Sequence, residues 1–456
     1  MVRVMRAVVV LAAAGAAASA QEIPAIDAAT RAALASRVDG RHTVGIEVGL
    51  ATREGRAFAA RGAIAAGGAE PGKDTVFEIG SITKVFTALL LADMIERQEV
   101  ALDDPVSKYL PSTVTVPSRN GRAITLADLT THTSGLPRIP SNMDATNLDN
   151  PYAAYDTGRL YAFLSTYQLA RDPGTKWDYS NLGAGLLGVA LTQRAGMSYE
   201  QLVKTRILDP LGMKNSAITL TTDARRRLAT PHDESLNPVG LWDLNALAGA
   251  GALRSTADDL LTFAAANAGL IESPLQKAMV RMRAFRRPGQ APQLEQAMGW
   301  IVVKPAGSEI FMHDGGTHGF RSSIVVDPAN GRAAVAWANA PLDVNDLTAH
   351  LVEPKAPLRT LDPLPAFVIL SDDVLASYVG VYQLAPTFAI AVTREGTRMF
   401  AQATNQPRLE LFATGKDELM LRAVKASLSF VRDASGTVTA LVLHQNGLDQ
   451  RAPKVK

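Results

Sequence analysis

Residues 85–95 limit the fold more than any other stretch. They are apolar nearly all round, with Phe86, Leu89, Leu90, Leu91 and Met94 spread over every face of a helix. Such a helix belongs inside a protein rather than on its surface. The run falls well short of the roughly 20 apolar residues that span a bilayer, so the rest of the chain must bury it. A chain of 456 residues, 47% hydrophobic and 20% charged, has globular composition and the length for two or three folding units.

The elements that could wrap this helix lie on both sides of it. Alternating patterns at 42–50 and 55–61, split by Arg53-Glu54-Gly55, predict a β-hairpin. From about 100 to 260 the pattern is helical, broken by loops rich in Pro, Asn and Asp. Helices are expected at 183–195, 198–207 and 256–268, the last capped by Ser255 or Thr256 ahead of Asp258 and Asp259. Strand patterns return at 299–304, 308–312, 320–327 and 333–339. Strands from both ends with helices between predict an α+β fold, an antiparallel sheet flanked by helices with a helical subdomain. Pro354, Pro357, Pro363 and Pro365 mark a linker over 352–371. Beyond it, 372–456 reads as short alternating strands with turns at Glu395-Gly396, Thr414-Gly415 and Ser435-Gly436, which predicts a small antiparallel β-barrel or meander.

Residues 1–20 read as a signal peptide. Arg3 and Arg6 precede an apolar run, and Ala18-Ser19-Ala20 offers a cleavage site before Gln21. No later stretch is long and apolar enough to cross a membrane, so a soluble product is expected, periplasmic or secreted. The chain carries 46 Lys+Arg against 44 Asp+Glu, and Arg3 and Arg6 in the leader account for the excess. A neutral remainder argues against a nucleic-acid partner. There is no cysteine, which excludes disulfides, thiolate metal sites and cysteine nucleophiles. No phosphate loop or dinucleotide fingerprint is present, and no cofactor is expected. His232, Asp233 and Glu234 are adjacent, so they cannot all face one ion; they read as a solvated loop, and no metal site is expected.

Gly80-Ser81-Ile82-Thr83-Lys84 opens the apolar helix. Spacing of i, i+3 puts Ser81 and Lys84 on one face, where the amine can reach the hydroxyl. A serine is inert at neutral pH until a base takes its proton. At a helix start its own backbone N–H is unpaired and suits half of an oxyanion hole. Ser-x-x-Lys alone would arise about once by chance in a chain of this length. Its company is more specific: Tyr179-Ser180-Asn181 follows in a loop before a helix, and His313-Asp314-Gly315-Gly316 ends a strand. Alternation puts His313 and Gly315 on one strand face, where glycine leaves room beside the serine helix.

These three motifs, in this order, resemble the penicillin-recognising serine hydrolases: class C β-lactamases, D-alanyl-D-alanine carboxypeptidases and their esterase relatives. The likeness runs over about 40–345 and includes Phe77-Glu78-Ile79-Gly80-Ser81, Leu129-Thr130-Thr131-His132-Thr133-Ser134-Gly135-Leu136-Pro137 and Leu208-Asp209-Pro210-Leu211-Gly212-Met213. It implies a β-lactamase/transpeptidase-like fold over 21–351, and the tail is similar to lipocalin-like domains appended to some members. By the resemblance, Ser81, Lys84, Tyr179 and His313 are the catalytic set, with Ser81 as nucleophile. The N–H groups of Ser81 and Gly316 form the oxyanion hole. Asn181, Asp314, Gly315 and Thr317 line the substrate, and Asn181 also holds Lys84. Tyr179 acts as a phenolate or in concert with Lys84, which requires its pKa to fall or be shared. His132 is expected to frame the site rather than react.

His313 stands where class C β-lactamases carry lysine, and Asp314 where a hydroxyl residue is common among relatives that bind a substrate carboxylate. The substrate implied is a β-lactam or a D-alanyl-D-alanine-type peptide. A carboxylesterase on the same site, and a non-catalytic β-lactam or peptide binder, are the alternatives.

Overall fold

The computed structural model describes residues 24–143, 149–305, 308–422 and 424–455; the expected leader lies outside them. One eight-stranded antiparallel sheet organises the first 350 residues. Its strands are β1 (Gly45–Thr52), β2 (Gly55–Gly62), β3 (Arg287–Pro288), β4 (Glu295–Gln296), β5 (Ile301–Val303), β6 (Ile310–Gly316), β7 (Arg321–Asp327) and β8 (Arg332–Ala338). They lie in the order β2-β1-β8-β7-β6-β5-β4-β3. The predicted hairpin therefore joins the C-terminal strands through β1 and β8, paired from Ile46↔Ala338 to Ala51↔Ala333.

Period-two alternation gives this sheet two buried faces. Ile46, Val48 and Leu50 join Ala334, Ala336 and Ala338 against two helices, α1 (Ala28–Asp39) and the later Asn345–Val352. The other face meets α2 (Thr83–Glu96), α3 (Asn181–Ala195) and α4 (Ala257–Asn267) in the main core. The apolar run predicted to lie inside does so: every residue from Thr83 to Met94 is buried, and Phe86 stacks on Phe263 with ring centroids 4.0 Å apart. Removing a side chain such as Leu90 to alanine at such a site costs about 2–5 kcal/mol. The cap of α4 is Thr256, whose hydroxyl accepts from the Asp259 N–H at 3.2 Å. Ser255 instead sits in the short strand Arg254–Thr256, paired with Val76–Glu78.

The tail is an eight-stranded barrel in which each strand pairs with the next. Its strands are β9 (Gly380–Ala385), β10 (Phe388–Glu395), β11 (Arg398–Ala403), β12 (Arg408–Gly415), β13 (Glu418–Leu421), β14 (Ala426–Arg432), β15 (Val438–Gln445) and β16 (Leu448–Pro453). A bridge between Tyr382 and Lys454 and a 2.8 Å bond from the Val455 N–H to the Val381 carbonyl bring the ends together. Gly396 and Gly436 have φ of +58° and +85°, as their turns require. Thr414-Gly415 does not form the expected turn. It ends β12 in a bulge, and Asp417, at φ +69°, makes the reversal instead. The proline-rich segment is held at both ends, by the Leu364 N–H to the Gly40 carbonyl at 2.9 Å and the Val368 N–H to the Ala413 carbonyl at 2.8 Å.

Candidate active site

A tight turn, Gly80–Ile82, leads into α2 and presents Ser81 partly exposed at the mouth of the site. Gly80 has φ +50°, and a Cβ there would lie 2.7 Å from the Gly316 nitrogen, so two backbones meet at a spacing no other residue allows. Gly315 is equally confined. A Cβ on it would stand 2.0 Å from the Ile79 carbonyl oxygen and 2.3 Å from Ser322 Oγ. Ser322 Oγ in turn donates to that carbonyl at 2.9 Å, which ties the end of β6–β7 to the serine turn. The strand alternates as expected, with His313 and Gly315 buried and Asp314 and Gly316 exposed.

One turn into α2, Lys84 Nζ donates to Ser81 Oγ at 2.9 Å and to the Ala250 carbonyl at 2.7 Å. The lysine is only 3% exposed. Burial pushes its pKa well below the usual lysine range; the nearby Arg138 charge adds to this and Asp314 opposes it. The shift is toward the neutral, proton-accepting amine. Tyr179 sits over this pair, its ring centroid 4.9 Å from Lys84 Nζ, with its hydroxyl beside Ser81. Burial raises the Tyr179 pKa, and Ser81 and the Arg138 charge only partly offset it. The lowered phenol pKa that a phenolate role requires is thus not found. Desolvation of a ring packed among Lys84, His132 and Arg138 outweighs the one charge that opposes it, that of Arg138, and Tyr179 stays a phenol.

His313 is buried with its ring 6.5 Å from that of Tyr179, and its Nδ1 lies 2.7 Å from the Asp314 backbone carbonyl. An N–H donated there leaves Nε2 as an acceptor. Burial lowers its pKa more than the Asp314 carboxylate raises it, and Lys84 lowers it further, so at neutral pH the imidazole carries no charge. His132 lies under Tyr179, ring centroids 4.5 Å apart, and its Nδ1 accepts from the Ser180 N–H at 3.2 Å.

Two expected contacts differ. Asn181 heads α3 beside the site, but its Oδ1 has no hydrogen-bond partner, and Lys84 is held by Ser81 and Ala250 instead. Thr317 is buried next to Glu78, with its N–H bonded to the Phe320 carbonyl at 3.1 Å, so it turns under the strand end rather than toward the mouth. His232, read as part of a solvated loop, is fully buried: its N–H and Nδ1 both lie 3.0 Å from the Asn339 carbonyl, and it packs under Gly319. Among the described residues no acid–histidine cluster could hold a metal. Asn339 clasps the end of the β1–β8 ladder, accepting from the Gly45 N–H at 2.6 Å.

Two participants were not read from the sequence. Ala250 belongs to a small-residue segment, Ala248–Gly251, that packs against Gly188 and Thr87 and so lets its carbonyls approach α2. Arg138 directly follows Leu136-Pro137, and its guanidinium lies 4.9 Å from the Tyr179 ring centroid. Its position after the Thr-His-Thr-Ser-Gly segment was the available signal.

Comparison with known proteins identifies the family. The β-lactamase family profile matches residues 30–352, and a domain of unknown function (DUF3471) matches 368–453. The D-alanyl-D-alanine-carboxypeptidase/endopeptidase AmpH of Escherichia coli is 31% identical over 312 residues, 62% of this chain and 77% of that one. Penicillin-binding protein 4* of Bacillus subtilis is 25% identical over 84% of this chain and 88% of its own. A β-lactamase/D-alanine carboxypeptidase from Yersinia pestis superposes with a TM-score of 0.62 at 25% identity, over 71% of this chain and 99% of that one. A class C β-lactamase from Rhodobacter sphaeroides gives 0.61 at 27%, over 72% and 97%. With a family match over residues 30–352 and the serine, lysine and tyrosine of its motifs gathered at one site, the chain belongs to the β-lactamase family of serine hydrolases.

Proposed function

We propose that the protein hydrolyses an amide bond through an acyl-enzyme on Ser81, with a β-lactam or a D-alanyl-D-alanine-type peptide as the substrate class. The 2.9 Å bond between Lys84 Nζ and Ser81 Oγ, made by a lysine whose burial favours the free amine, carries this reading. Lys84 takes the Ser81 proton as Oγ attacks the substrate carbonyl. The backbone N–H groups of Ser81 and Gly316 receive the developing oxyanion. Collapse of the tetrahedral adduct breaks the bond to the leaving group, which takes a proton from the Tyr179 hydroxyl while Lys84 reprotonates the phenol. Water then attacks the acyl-enzyme by the reverse relay, releasing the acid and restoring Ser81. Neutral His313 lines the site as an acceptor, and Asn181 holds the amide on the acyl side. The leader supports export to the periplasm or medium.

An esterase is the second reading. Asp314 is exposed at the strand end and has no ion-pair partner among the described residues, so it disfavours a substrate carboxylate there. Fluorescent penicillin, followed by denaturing gel and intact mass, separates the cases. Lasting label on Ser81 means a slow-deacylating peptidase, transient label with turnover a β-lactamase, and ester hydrolysis without label an esterase. Ser81→Ala is expected to lose about a thousandfold or more in kcat while staying folded. A variant that keeps more than a few per cent of activity would sink the mechanism.

A further inference from the structure

Arg138 has no part in the chemistry above, yet it stands at the mouth of the site. It is exposed, its guanidinium carbon is 4.9 Å from the Tyr179 ring centroid, and among the described residues no carboxylate pairs with it. Other arginines nearby are paired: Arg171 with Asp178 at 2.8 Å and Arg287 with Asp128 at 2.6 Å. The backbone of Arg138 is fixed, because its carbonyl accepts from the Asn181 N–H at 2.9 Å and the Leu182 N–H at 3.3 Å. A cation here works against the protonated form of Lys84 and His132, and at Lys84 only the charge of Asp314 opposes it. Across the site, Asp314 is the exposed, unpaired carboxylate at the end of β6. The two walls therefore carry opposite charges.

We propose that Arg138 is a specificity residue that binds an anionic group, a carboxylate, on the acyl portion of the substrate. The assignment rests on the acyl-hydrolase reading. Asn181, on the same wall, is the residue proposed to hold the acyl-side amide, whereas the departing portion lies along β6, where Asp314 repels an anion. A planar guanidinium offers two parallel N–H groups to a carboxylate, and its rigid backbone limits the ordering needed to bind one. Stacking on Tyr179 keeps the fork at the mouth instead of free in solvent.

The test uses two esters of equal acyl chain length, 4-nitrophenyl hexanoate and mono-4-nitrophenyl adipate, which differ in a terminal carboxylate. They are assayed on the full chain, Arg138→Gln, Arg138→Lys and Ser81→Ala. Arg138→Gln is expected to lower the adipate-to-hexanoate ratio of kcat/KM by about fivefold, chiefly through the adipate KM, with part of the preference kept by Arg138→Lys. Added salt should lower the same ratio in the parent chain. If Arg138 only tunes Lys84 and Tyr179, both esters change together; a ratio within about twofold of the parent's, with hydrolysis still dependent on Ser81, overturns the assignment alone. Undiminished hydrolysis by Ser81→Ala overturns the acyl-hydrolase reading and this proposal with it.

Discussion

Replacing Glu47 with glutamine should make the protein more stable in alkali. Glu47 sits mid-strand in β1, 1% exposed, and accepts from Trp337 Nε1 on the facing strand at 2.9 Å. Burial raises its pKa from 4.5 to about 8, and the Trp337 bond offsets this only in part. The folded state thus holds a proton that the unfolded state gives up above pH 4.5. Stability from this group is complete below pH 4.5, declines as pH rises, and is gone once pH passes about 8. Each pKa unit is worth about 1.4 kcal/mol, so the whole interval has a ceiling of about 5 kcal/mol, comparable to the total stability of many domains. Glu47→Gln keeps an oxygen for Trp337 and cannot ionise. Urea unfolding from pH 5 to pH 9 should give nearly equal stabilities at the acid end. At pH 9 the variant should lead by at least about 2 kcal/mol, since relaxation and water entry reduce the ceiling. Parallel pH curves for the two proteins would refute a neutral Glu47.

Gly315→Ala should cut kcat by about a hundredfold or more, because a Cβ 2.0 Å from the Ile79 oxygen forces β6 away from the Ser81 turn and misaligns the Gly316 N–H; steady-state kinetics with near-normal activity would mean that the strand end does not supply an oxyanion donor. Asp314→Thr with His313→Lys should raise kcat/KM at pH 7.5 several-fold more for substrates with a carboxylate on the departing portion than for neutral esters, since charges ~4 Å apart at an effective dielectric of ~20 interact by about 4 kcal/mol before screening. In the parent chain, any acid-side gain on such substrates should begin only below pH 6.5, because burial lowers the His313 pKa; a gain centred above that pH would contradict a desolvated imidazole. A chain ending near residue 366 should turn over a small ester within about threefold of the full chain; complete inactivity of a folded truncation would mean that the barrel completes the site.

The site's serine and lysine could be read from the sequence because their contact is local: i, i+3 on a helix already marked as buried fixes their distance. Gly315 could be read from strand alternation for the same reason. Ala250 could not, because it reaches the site through a chain reversal of many residues with no periodic signature, and for Arg138 the one signal was its place just after the Thr-His-Thr-Ser-Gly segment. The direction of the Tyr179 pKa was hidden too, since it depends on how much apolar surface and how many cations surround the ring. In the fold, β16 leaves no strand pattern in the sequence because Leu448 to Arg451 face solvent and show no apolar alternation. The helix Ala28–Asp39 was missed because its buried stripe is thin and includes Thr30 and Arg37, the latter paired with Asp346 at 2.5 Å.

The pairing of β1 with β8 has a consequence for how the molecule forms. Glu47 and Trp337, bonded across that ladder, stand 290 positions apart in the chain. While the protein is being made, β1 and β2 can form their hairpin early, but the inner edge of β1 waits with its N–H and C=O groups unpaired until residues 332–338 appear. Loops of that length close slowly, and an open strand edge beside apolar surface is a site of self-association. The barrel has the opposite kinetics: its ladders join neighbours in sequence, and the contacts that close it, Tyr382 with Lys454 and Val381 with Val455, come last. Early termination anywhere before residue 332 should therefore yield an aggregating fragment, whereas loss of the barrel strands leaves a sheet whose central ladder is already complete.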